Sequence, residues 1–578
     1  MNRRTRRPWR FNLFAPFRKR SELAGWLGRA YGLFERLAPV TRSSPIRRGI
    51  QIGCLFAFSY AFFYVCWPYA ETFSAATFGN KESFQVELFL LIDPLVALST
   101  ALAGRFIYPP TLWWTAAILA ACLFVPRGFC GYVCPLGTLI DGFDWLVGRH
   151  FRRWHVRTNS ACAWWVHLKY YLLAAVLISS LCGVLLSGFV AAIPVVTRGM
   201  MFTAARLQLL VLKGRNHLTP VDWTFWLSVG LFAAIFLLGL WGRRFWCRYL
   251  CPSGALFSVT NLLRFSERKV MPACIACGRC VEVCPFDAIQ EDYTTRTADC
   301  TFCQTCGGVC PPRAIQFVTR LHAGEAEPEV EPSASLRPLS RRAFAASAAA
   351  AVGTATLIRL QASASSHRAP KPLRPPGSVS EVLFLDACIR CGQCFKVCPG
   401  PVLQPAGLEY GWESLWTPVV RPDHAGCHQD CNFCTLVCPT GAIQPLDIAV
   451  KRRVHIGLAR IDTETCLPFR AADRRECEVC YVECRQAGYD AIELREIEIT
   501  LDPPPPEGMF SELELRAMTR VRAPFVNAAA CVGCGICQYR CYTLYVVQQQ
   551  ILARSAVRVV AQNEDRLYVH KIPLELFP

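Results

Sequence analysis

The stretches "CIACGRCVEVCPFDAI" at 274–289 and "CTFCQTCGGVCPPRAI" at 300–315 decide what this part of the chain must build. Each has the spacing Cys-x2-Cys-x2-Cys-x3-Cys-Pro, with which thiolates hold [4Fe–4S] clusters. Three closely spaced thiolates wrap one cluster, and the fourth reaches across to the other. Structural zinc sites separate two Cys pairs by a dozen or more residues, so zinc is disfavoured. The spacing predicts two ligand sets: Cys274, Cys277, Cys280 with Cys310, and Cys300, Cys303, Cys306 with Cys284.

Four further runs of the same type follow residue 380: "CIRCGQCFKVCP" (388–399), "CHQDCNFCTLVCPTGAI" (427–443), "CLPFRAADRRECEVCYVECRQAGYDAI" (466–492) and "CVGCGICQYRC" (531–541). The second has three residues in its first gap, the third has ten, and the fourth lacks the closing Pro. The predicted ligands are Cys388, Cys391, Cys394, Cys398, Cys427, Cys431, Cys434, Cys438, Cys466, Cys477, Cys480, Cys484, Cys531, Cys534, Cys537 and Cys541. Six runs of four cysteines suit six [4Fe–4S] clusters with none left over.

The sequence of the first half of the 578-residue chain predicts a membrane domain. Four apolar runs approach the roughly 20 residues that a spanning helix needs. These predicted spans are 50–67, 108–125, 168–193 and 223–241. A fifth run, 86–104, contains Asp93-Pro94 and is predicted to be re-entrant or interfacial, because a break in mid-span frees backbone groups that lipid cannot satisfy. Residues 1–48 carry thirteen Lys/Arg against two acids and lead into an apolar helix, which favours a cytoplasmic anchor over a nucleic-acid-binding arm.

Two of these spans end in one repeated motif, "RGFCGYVCPLGTL" from Arg127 and "RFWCRYLCPSGAL" from Arg244. In each repeat Cys-x-x-x-Cys-Pro places two thiols on neighbouring points of a helix end or tight turn. The four thiols are Cys130, Cys134, Cys247 and Cys251. Three interpretations stay open for them: buried packing thiols, redox dithiols, or one shared iron–sulfur cluster. The remaining membrane cysteines show no spacing pattern and are interpreted as packing residues: Cys54, Cys66, Cys122, Cys162 and Cys182.

The predicted fold class is an α-helical membrane domain of four transmembrane helices with Cys-x-x-x-Cys-Pro motifs, plus α+β ferredoxin-like domains with two and four clusters. The predicted boundaries are a basic arm at 1–47, the membrane domain at 48–265, the two-cluster domain at 266–322, a linker at 323–380 and the four-cluster domain at 381–578. No Cys-x-x-Cys-His haem site, dinucleotide fingerprint or P-loop occurs in the sequence. The chain is therefore predicted to move electrons rather than to transform a substrate of its own.

With these motifs in view, the first half resembles NapH, the membrane subunit of the electron-supply system of periplasmic nitrate reductase. The second half resembles its exported partner NapG. The resemblance covers residues from about 48 to 545 and implies a quinol dehydrogenase in the bacterial inner membrane, with the motif cysteines facing the cytoplasm. It implies the quinone pool and a periplasmic reductase or cytochrome as partners, and no nucleic acid. The fusion of the two halves departs from that family.

Residues 339–360, "LSRRAFAASAAAAVGTATLIRL", resemble a twin-arginine export signal. The fusion explains its place in mid-chain, since it starts the second of two proteins. The apolar segment 343–358 is short for a stable span, and "ASASS" after it resembles a cleavage site. We therefore expect either cleavage after export or a retained anchor, with the first two-cluster domain cytoplasmic and the four-cluster domain periplasmic. A plain anchor helix without an export function is the alternative.

By resemblance to other four-cluster subunits, the first exported run is expected to share ligands with the fourth, and the second with the third. The implied sets are Cys388, Cys391, Cys394 with Cys541; Cys531, Cys534, Cys537 with Cys398; Cys427, Cys431, Cys434 with Cys484; and Cys466, Cys477, Cys480 with Cys438.

The main functional hypothesis is quinol oxidation with transfer of electrons to a periplasmic reductase. The alternative is an assembly or maintenance factor that reduces a metal centre or disulfide of a periplasmic oxidoreductase. His167, Lys169 and Asp93 lie near span ends and are candidates for a quinone site, but each is interpreted as an interfacial anchor or snorkelling residue.

Overall fold

The computed structural model describes residues 44–64, 87–150, 167–214, 218, 221–319, 340–365, 371–470, 476–499, 511 and 519–561, with backbone alone at 148–150, 212–213, 319 and 361–365. Residues 1–43 of the basic arm, Cys66, Cys162 and Ser366, the last residue of the supposed cleavage site, lie outside these residues. None of the described cysteines forms a disulfide. The chain forms two compact units, one from 1–59, 113–175 and 233–348, the other from 60–112, 176–232 and 349–578.

Five of the described helices contribute residues to both units. They are Pro45–Tyr64, Pro109–Phe124, Leu168–Leu181, Trp223–Leu237 and Arg341–Ser365. Two helical segments of the described chain are long and apolar enough to cross a membrane, Trp223–Leu240 and Arg341–Leu360. Shorter apolar helices are Pro94–Gly104, Pro109–Phe124 and Leu168–Leu181. The four-span membrane domain therefore stays a prediction.

The predicted span 168–193 is wrong in its second half, because the helix ends at Leu181. The Ser179 and Ser180 hydroxyls donate back to the Val176 carbonyl, and Gly183 then adopts a positive φ of 76°. Side chains that bond the preceding turn compete with helix continuation, and glycine accepts the left-handed turn. Three shorter helices follow: Ser187–Val190, Ala192–Phe202 and Ala204–Lys213.

The other apolar segments differ less from expectation. The first helix begins five residues before the predicted span, at Pro45. The run 86–104 breaks where Asp93 accepts a hydrogen bond from the Leu95 amide (3.1 Å) and caps Pro94–Gly104, after the short helix Leu88–Leu91. The apolar segment 343–358 lies within a longer helix that continues from Arg341 to Ser365. At about 1.5 Å per residue, its 25 residues exceed the roughly 30 Å of a bilayer core.

In the first unit the chain before the first cluster run pairs with the chain after the second. Strand Ser266–Val270 is antiparallel to Ile315–Thr319, with Ser266 opposite Thr319 and Val270 opposite Ile315. Between them lie the short helices Arg279–Val283 and Thr305–Val309, which pack together. Among the described residues of this unit, the remaining α-helices are Pro135–His150 and Pro252–Thr260, with 3₁₀ turns at Leu238–Leu240 and Asn261–Leu263.

The four-cluster part of the second unit repeats this arrangement twice. Strand Leu458–Ile461, before the third run, is antiparallel to Val557–Val560, after the fourth. Ser378 and Ile443 form the corresponding bridge around the first two runs. The remaining strands are Leu403–Pro405 with Pro418–Val420 and Ile492–Glu498 with Arg520–Val526. The helices are Glu381–Ala387, Gln393–Val397, Phe433–Leu436, Ile448–Lys451, Val479–Gln486 and Ile536–Cys541.

Candidate iron–sulfur centres

The two Cys-x-x-x-Cys-Pro repeats adopt the same local structure. Arg127 (φ 48°) and Arg244 (φ 50°) both have left-handed backbones, which non-glycine residues rarely adopt. One turn of π-helix follows in each repeat, Phe129–Val133 and Trp246–Leu250. The second cysteine of each motif then ends that turn, and its proline begins the next α-helix. Such π-turns often mark functional sites, since they add a residue and redirect side chains.

Each repeat also holds the other through its arginine. Arg244 Nη2 donates to the Gly137 carbonyl (3.1 Å), and its Nη1 donates to the Cys130 carbonyl (3.0 Å). In the reverse direction, the Arg127 guanidinium lies 3.3 Å from where a Cβ on Gly254 would stand. The two glycines are the matching residues of the two motifs. A methyl group at either glycine would lie 3.3 to 3.4 Å from the partner's guanidinium, so the two sites leave little room for a side chain.

The four motif thiols lie close together. Burial, and after it the Cys130 and Cys247 thiols, raise the pKa of Cys134. Burial and all three other motif thiols raise the pKa of Cys251. One buried and one half-buried thiol from each repeat therefore meet at one site. This donor set suits a [4Fe–4S] cluster, because a cluster stabilises the thiolate forms that burial alone disfavours.

A buried carboxylate neutralises this site. Asp141 receives charge-assisted bonds from Arg244 Nε (2.6 Å) and Nη2 (2.8 Å), and from Arg48 Nη1 (2.7 Å). Arg47 Nη2 lies 3.4 Å from the same carboxylate, and Gln51 also donates to it. Burial by itself would raise the pKa of Asp141, but the three guanidinium groups hold it below its usual range. Asp141 is therefore an anion within a buried cationic cluster.

A second carboxylate links the repeat site to the two-cluster domain. Asp299, directly before the predicted ligand Cys300, accepts from Lys169 Nζ (2.5 Å) and lies 3.5 Å from Arg127 Nη1. Burial would raise the pKa of Asp299, whereas Lys169 and Arg127 lower it. Phe286, two residues after the predicted ligand Cys284, lies under both the Arg127 and the Arg244 guanidinium groups, at 5.2 and 4.8 Å. The repeat site and the second cluster set are thus built as one packed structure.

The two-cluster domain brings together all four predicted ligands of its second set and three of the first set, Cys274, Cys277 and Cys280. The Cys284, Cys300 and Cys303 thiols all raise the pKa of Cys306 after burial, as expected of one shared set. The Cys274 and Cys277 thiols act likewise on Cys280. Within the described residues, no group of three or more His, Cys, Asp or Glu side chains is arranged to hold a single metal ion. A [4Fe–4S] cluster instead takes one thiolate at each of four irons.

Unpartnered buried donors beside these thiols fit an inorganic sulfide acceptor. Arg268 is fixed by bonds from Nη1 to the Tyr293 carbonyl (3.0 Å) and the Thr295 hydroxyl (2.7 Å), while its Nε and Nη2 contact no acceptor. The Thr301 and Thr305 hydroxyl groups, next to ligands of the second set, are also buried without a partner. Buried donors normally find acceptors. Cluster sulfides would satisfy them, so the residues fit the group.

In the four-cluster part, adjacent runs pair. Helix Gln393–Val397 of the first run packs against Phe433–Leu436 of the second, and Val479–Gln486 of the third packs against Ile536–Cys541 of the fourth. The thiols group in the same way, because the other three members of each set raise the pKa of the third cysteine of its run after burial. Four cysteines of runs three and four also line one cavity. The sets are Cys388, Cys391, Cys394 with Cys438; Cys427, Cys431, Cys434 with Cys398; Cys531, Cys534, Cys537 with Cys484; and Cys466, Cys477, Cys480 with Cys541.

The nested sharing expected from resemblance, first run with fourth and second with third, is therefore wrong. The reason is local: each pair of consecutive runs is closed by strands before and after it, as in the two-cluster domain. The ten-residue gap after Cys466 lies partly outside the described residues.

The three quinone-site candidates have structural partners. Lys169 is 2% exposed and pairs with Asp299, so the interpretation of it as a snorkelling residue is wrong. Asp93 is fully buried as a helix cap, and the His167 ring lies beside Tyr170. Sequence reasoning missed Asp141, Asp299 and Arg268 as contributors to the centres. The sequence does mark Arg127 and Arg244, because each of them lies three residues before the first cysteine of its repeat.

Comparison with known proteins agrees with these centres. A family model described as "4Fe-4S binding domain" matches residues 107–153 and 223–269, which contain the two repeats, and another of the same description matches 271–290. The methylamine utilization ferredoxin-type protein MauM of Paracoccus denitrificans is 33% identical over 234 residues, 39% of this chain and 90% of that protein. The ferredoxin-type protein NapG of Escherichia coli is 36% identical over 198 residues, 33% of this chain and 74% of that protein.

The putative electron transport protein YccM of Escherichia coli is 29% identical over 253 residues, 42% of this chain and 66% of that protein. No solved structure matches the chain. The cluster motifs and these relatives define a ferredoxin-type 4Fe–4S electron-transfer protein. More specifically, the chain belongs to the family of NapG- and MauM-type ferredoxin proteins.

Proposed function

We propose that this protein is a membrane-bound quinol dehydrogenase in which a NapH-like half is fused to a NapG-like half. It oxidises quinol to quinone, releasing two protons and passing two electrons singly through [4Fe–4S] centres to a periplasmic reductase or cytochrome. Bound clusters supply the one-electron chemistry. The chain's own residues hold the thiolates, neutralise their charge and fix the spacing between sets.

The observation that carries the proposal is the distribution of centres along the chain. The repeat thiols and two ferredoxin sets belong to one compact unit, four sets belong to the other, and five apolar helices contribute to both. Large apolar side chains on these helices are more than half exposed, including Phe56, Trp113, Trp226 and Leu357. Such exposure suits a lipid surface. We place the arm and first ferredoxin domain in the cytoplasm and the four-cluster domain in the periplasm.

Quinol-dependent reduction tests this function. The purified full-length chain in lipid vesicles should lose its oxidised iron–sulfur absorbance and gain EPR signals of reduced clusters when a quinol is added without oxygen. Added quinone is the matched control and should change neither signal. If quinol leaves the clusters oxidised while dithionite reduces them, the dehydrogenase proposal fails and the maintenance-factor alternative is favoured.

The repeat thiols give a second test, because we propose that they hold a seventh cluster. Cys251→Ala should lower the iron content from about 28 to about 24 atoms per chain. Cys182→Ala, which removes an exposed thiol outside the motifs, is the control and should leave the iron content unchanged. An iron content of about 24 in both variants would exclude the cluster and favour redox dithiols.

A further inference from the structure

The two ferredoxin-like pairs of the four-cluster part touch through ligand-bearing loops. The Cys427 amide of the second run donates to the Cys534 carbonyl of the fourth run (2.7 Å). Gly426 packs on the same loop, where an added Cβ would lie 2.2 Å from Ile536 Cγ1 and 2.8 Å from Ile536 Cα. Only glycine allows the two backbones to come this close. The contact joins the ligand set of Cys427 to the set of Cys534.

A tyrosine lies at this same contact. Tyr489 lines the cavity formed by Cys484, Cys531, Cys534 and Cys537. After burial, the Cys534 and then the Cys427 thiol raise the pKa of Tyr489, so its ring is near both sets. The other two contacts between neighbouring sets lie within the ferredoxin-like pairs, one in each pair, where the two sets exchange their fourth cysteine. The three contacts connect the four sets end to end.

The first set, with Cys388 and Cys391, lies beside residues 185–189, which follow the helix Leu168–Leu181. Arg390, between these cysteines, donates from Nη1 to the Leu185 carbonyl (3.1 Å) and stacks on the Phe189 ring at 4.4 Å. An added Cβ on Gly188 would lie 2.6 Å from the Ile389 carbonyl oxygen. The fourth set, at the other end of the sequence of contacts, instead has the Tyr545 hydroxyl donating to Cys477 Sγ (3.2 Å).

We infer that the four ligand sets form a single file, entered at the Cys388 set beside residues 185–189 and left at the Cys466 set, with the Gly426–Cys427 contact as the link between its halves. This order deepens the proposed function and rests on it for the direction of electron flow. The order itself follows from the contacts alone. It predicts that each end set has one magnetic neighbour and each inner set has two.

EPR of the dithionite-reduced full-length protein tests the order without any quinol. Neighbouring reduced clusters broaden each other's signals through spin coupling. Cys391→Ala, in the first set, and Cys480→Ala, in the fourth, should each narrow the EPR signal of one remaining cluster. Cys431→Ala, in the second set, should narrow the EPR signals of two remaining clusters. A variant is compared only if it has lost no more than about four iron atoms per chain, the content of one cluster.

Failure of the order has a distinct signature. If Cys391→Ala narrows the signal that Cys480→Ala removes, the first and fourth sets are neighbours and the single file is wrong. Because dithionite reduces the clusters directly, this result would leave quinol oxidation itself unaffected. Loss of quinol-dependent reduction with the expected coupling pattern would instead contradict the function and keep the order.

The link between the halves has its own matched pair of variants. Gly426→Ala forces the Cys427 loop away from Ile536 and should weaken the coupling between the second and third sets. Gly230→Ala adds the same methyl group where no atom lies within 4 Å and should change nothing. Full coupling in both variants would contradict the link, and the cysteine series decides the order if Gly426→Ala loses its iron.

Discussion

Replacing Asp141 with alanine should lower the free energy of unfolding by about 3–5 kcal/mol, the cost of leaving buried cations without their partner. Arg244 and Arg47 are each 1% exposed, and Asp141 is 8% exposed. Without the carboxylate, these guanidinium groups repel one another in a site that water cannot reach. The helix Pro45–Tyr64, the first repeat and the second repeat all meet at Asp141, so its loss loosens three segments together.

Thermal loss of iron–sulfur absorbance from the purified protein in detergent measures this effect. Asp141→Ala should lower the midpoint by several degrees, and Asp141→Asn, which keeps the shape but removes the charge, should lower it less. Glu493→Ala is the control, since it breaks an exposed ion pair with Arg495 that is worth about 1 kcal/mol or less. Equal midpoints for Asp141→Ala and Glu493→Ala would show that the buried cluster does not stabilise the repeat site.

The candidate ligands can be predicted from the sequence because cluster ligation is a local spacing rule. Each run places three thiols within one loop and short helix, and no distant residue is needed to recognise it. The fourth ligand is different, since it comes from another run. For Cys438 and Cys541 the choice depends on which runs pack together, which is set by strands as far apart as Leu458–Ile461 and Val557–Val560. Resemblance to other four-cluster proteins supplied the wrong partner there.

The apolar pattern likewise indicated where helices lie but not where they end. The run 168–193 is apolar throughout, yet its helix ends at Leu181 because serine back-bonding and Gly183 terminate it. A hydropathy profile detects neither the serine hydrogen bonds nor the glycine turn. The buried charges were also hidden, because Asp141 and Asp299 are ordinary acidic residues in sequence. Their role arises only when Arg244 and Lys169 meet them in the fold.

Replacing both Arg341 and Arg342 with lysine should abolish export of the four-cluster domain. The two arginines are exposed at the start of the helix Arg341–Ser365, where an export receptor can reach them. Lysine keeps the positive charge, so a helix oriented only by positive-inside electrostatics would be unaffected. Recognition of a twin-arginine motif would be lost, because the guanidinium fork makes planar contacts that an ammonium group does not.

A reporter that is active only outside the cytoplasm, fused after Pro578, measures the outcome. The native chain should give signal and the double-lysine chain almost none, while Arg374→Lys, in the segment after the helix, should keep the signal. Equal signal from all three chains would mean that the helix is an anchor independent of the export motif. No signal from any of them would leave all the clusters on one side of the membrane and contradict transmembrane electron transfer.

The same three reporter fusions also test whether the chain is cleaved after the helix Arg341–Ser365. Arg359, near the end of this helix, bonds the Gly183 carbonyl and pairs with Asp386 (3.0 Å), two residues before Cys388. A helix held in this way to the first cluster run serves the exported domain best if it stays attached. We therefore expect one full-length product that carries both an N-terminal tag and the reporter. Two separate products would show that the helix is removed as a signal, and that the first cluster run keeps its position without it.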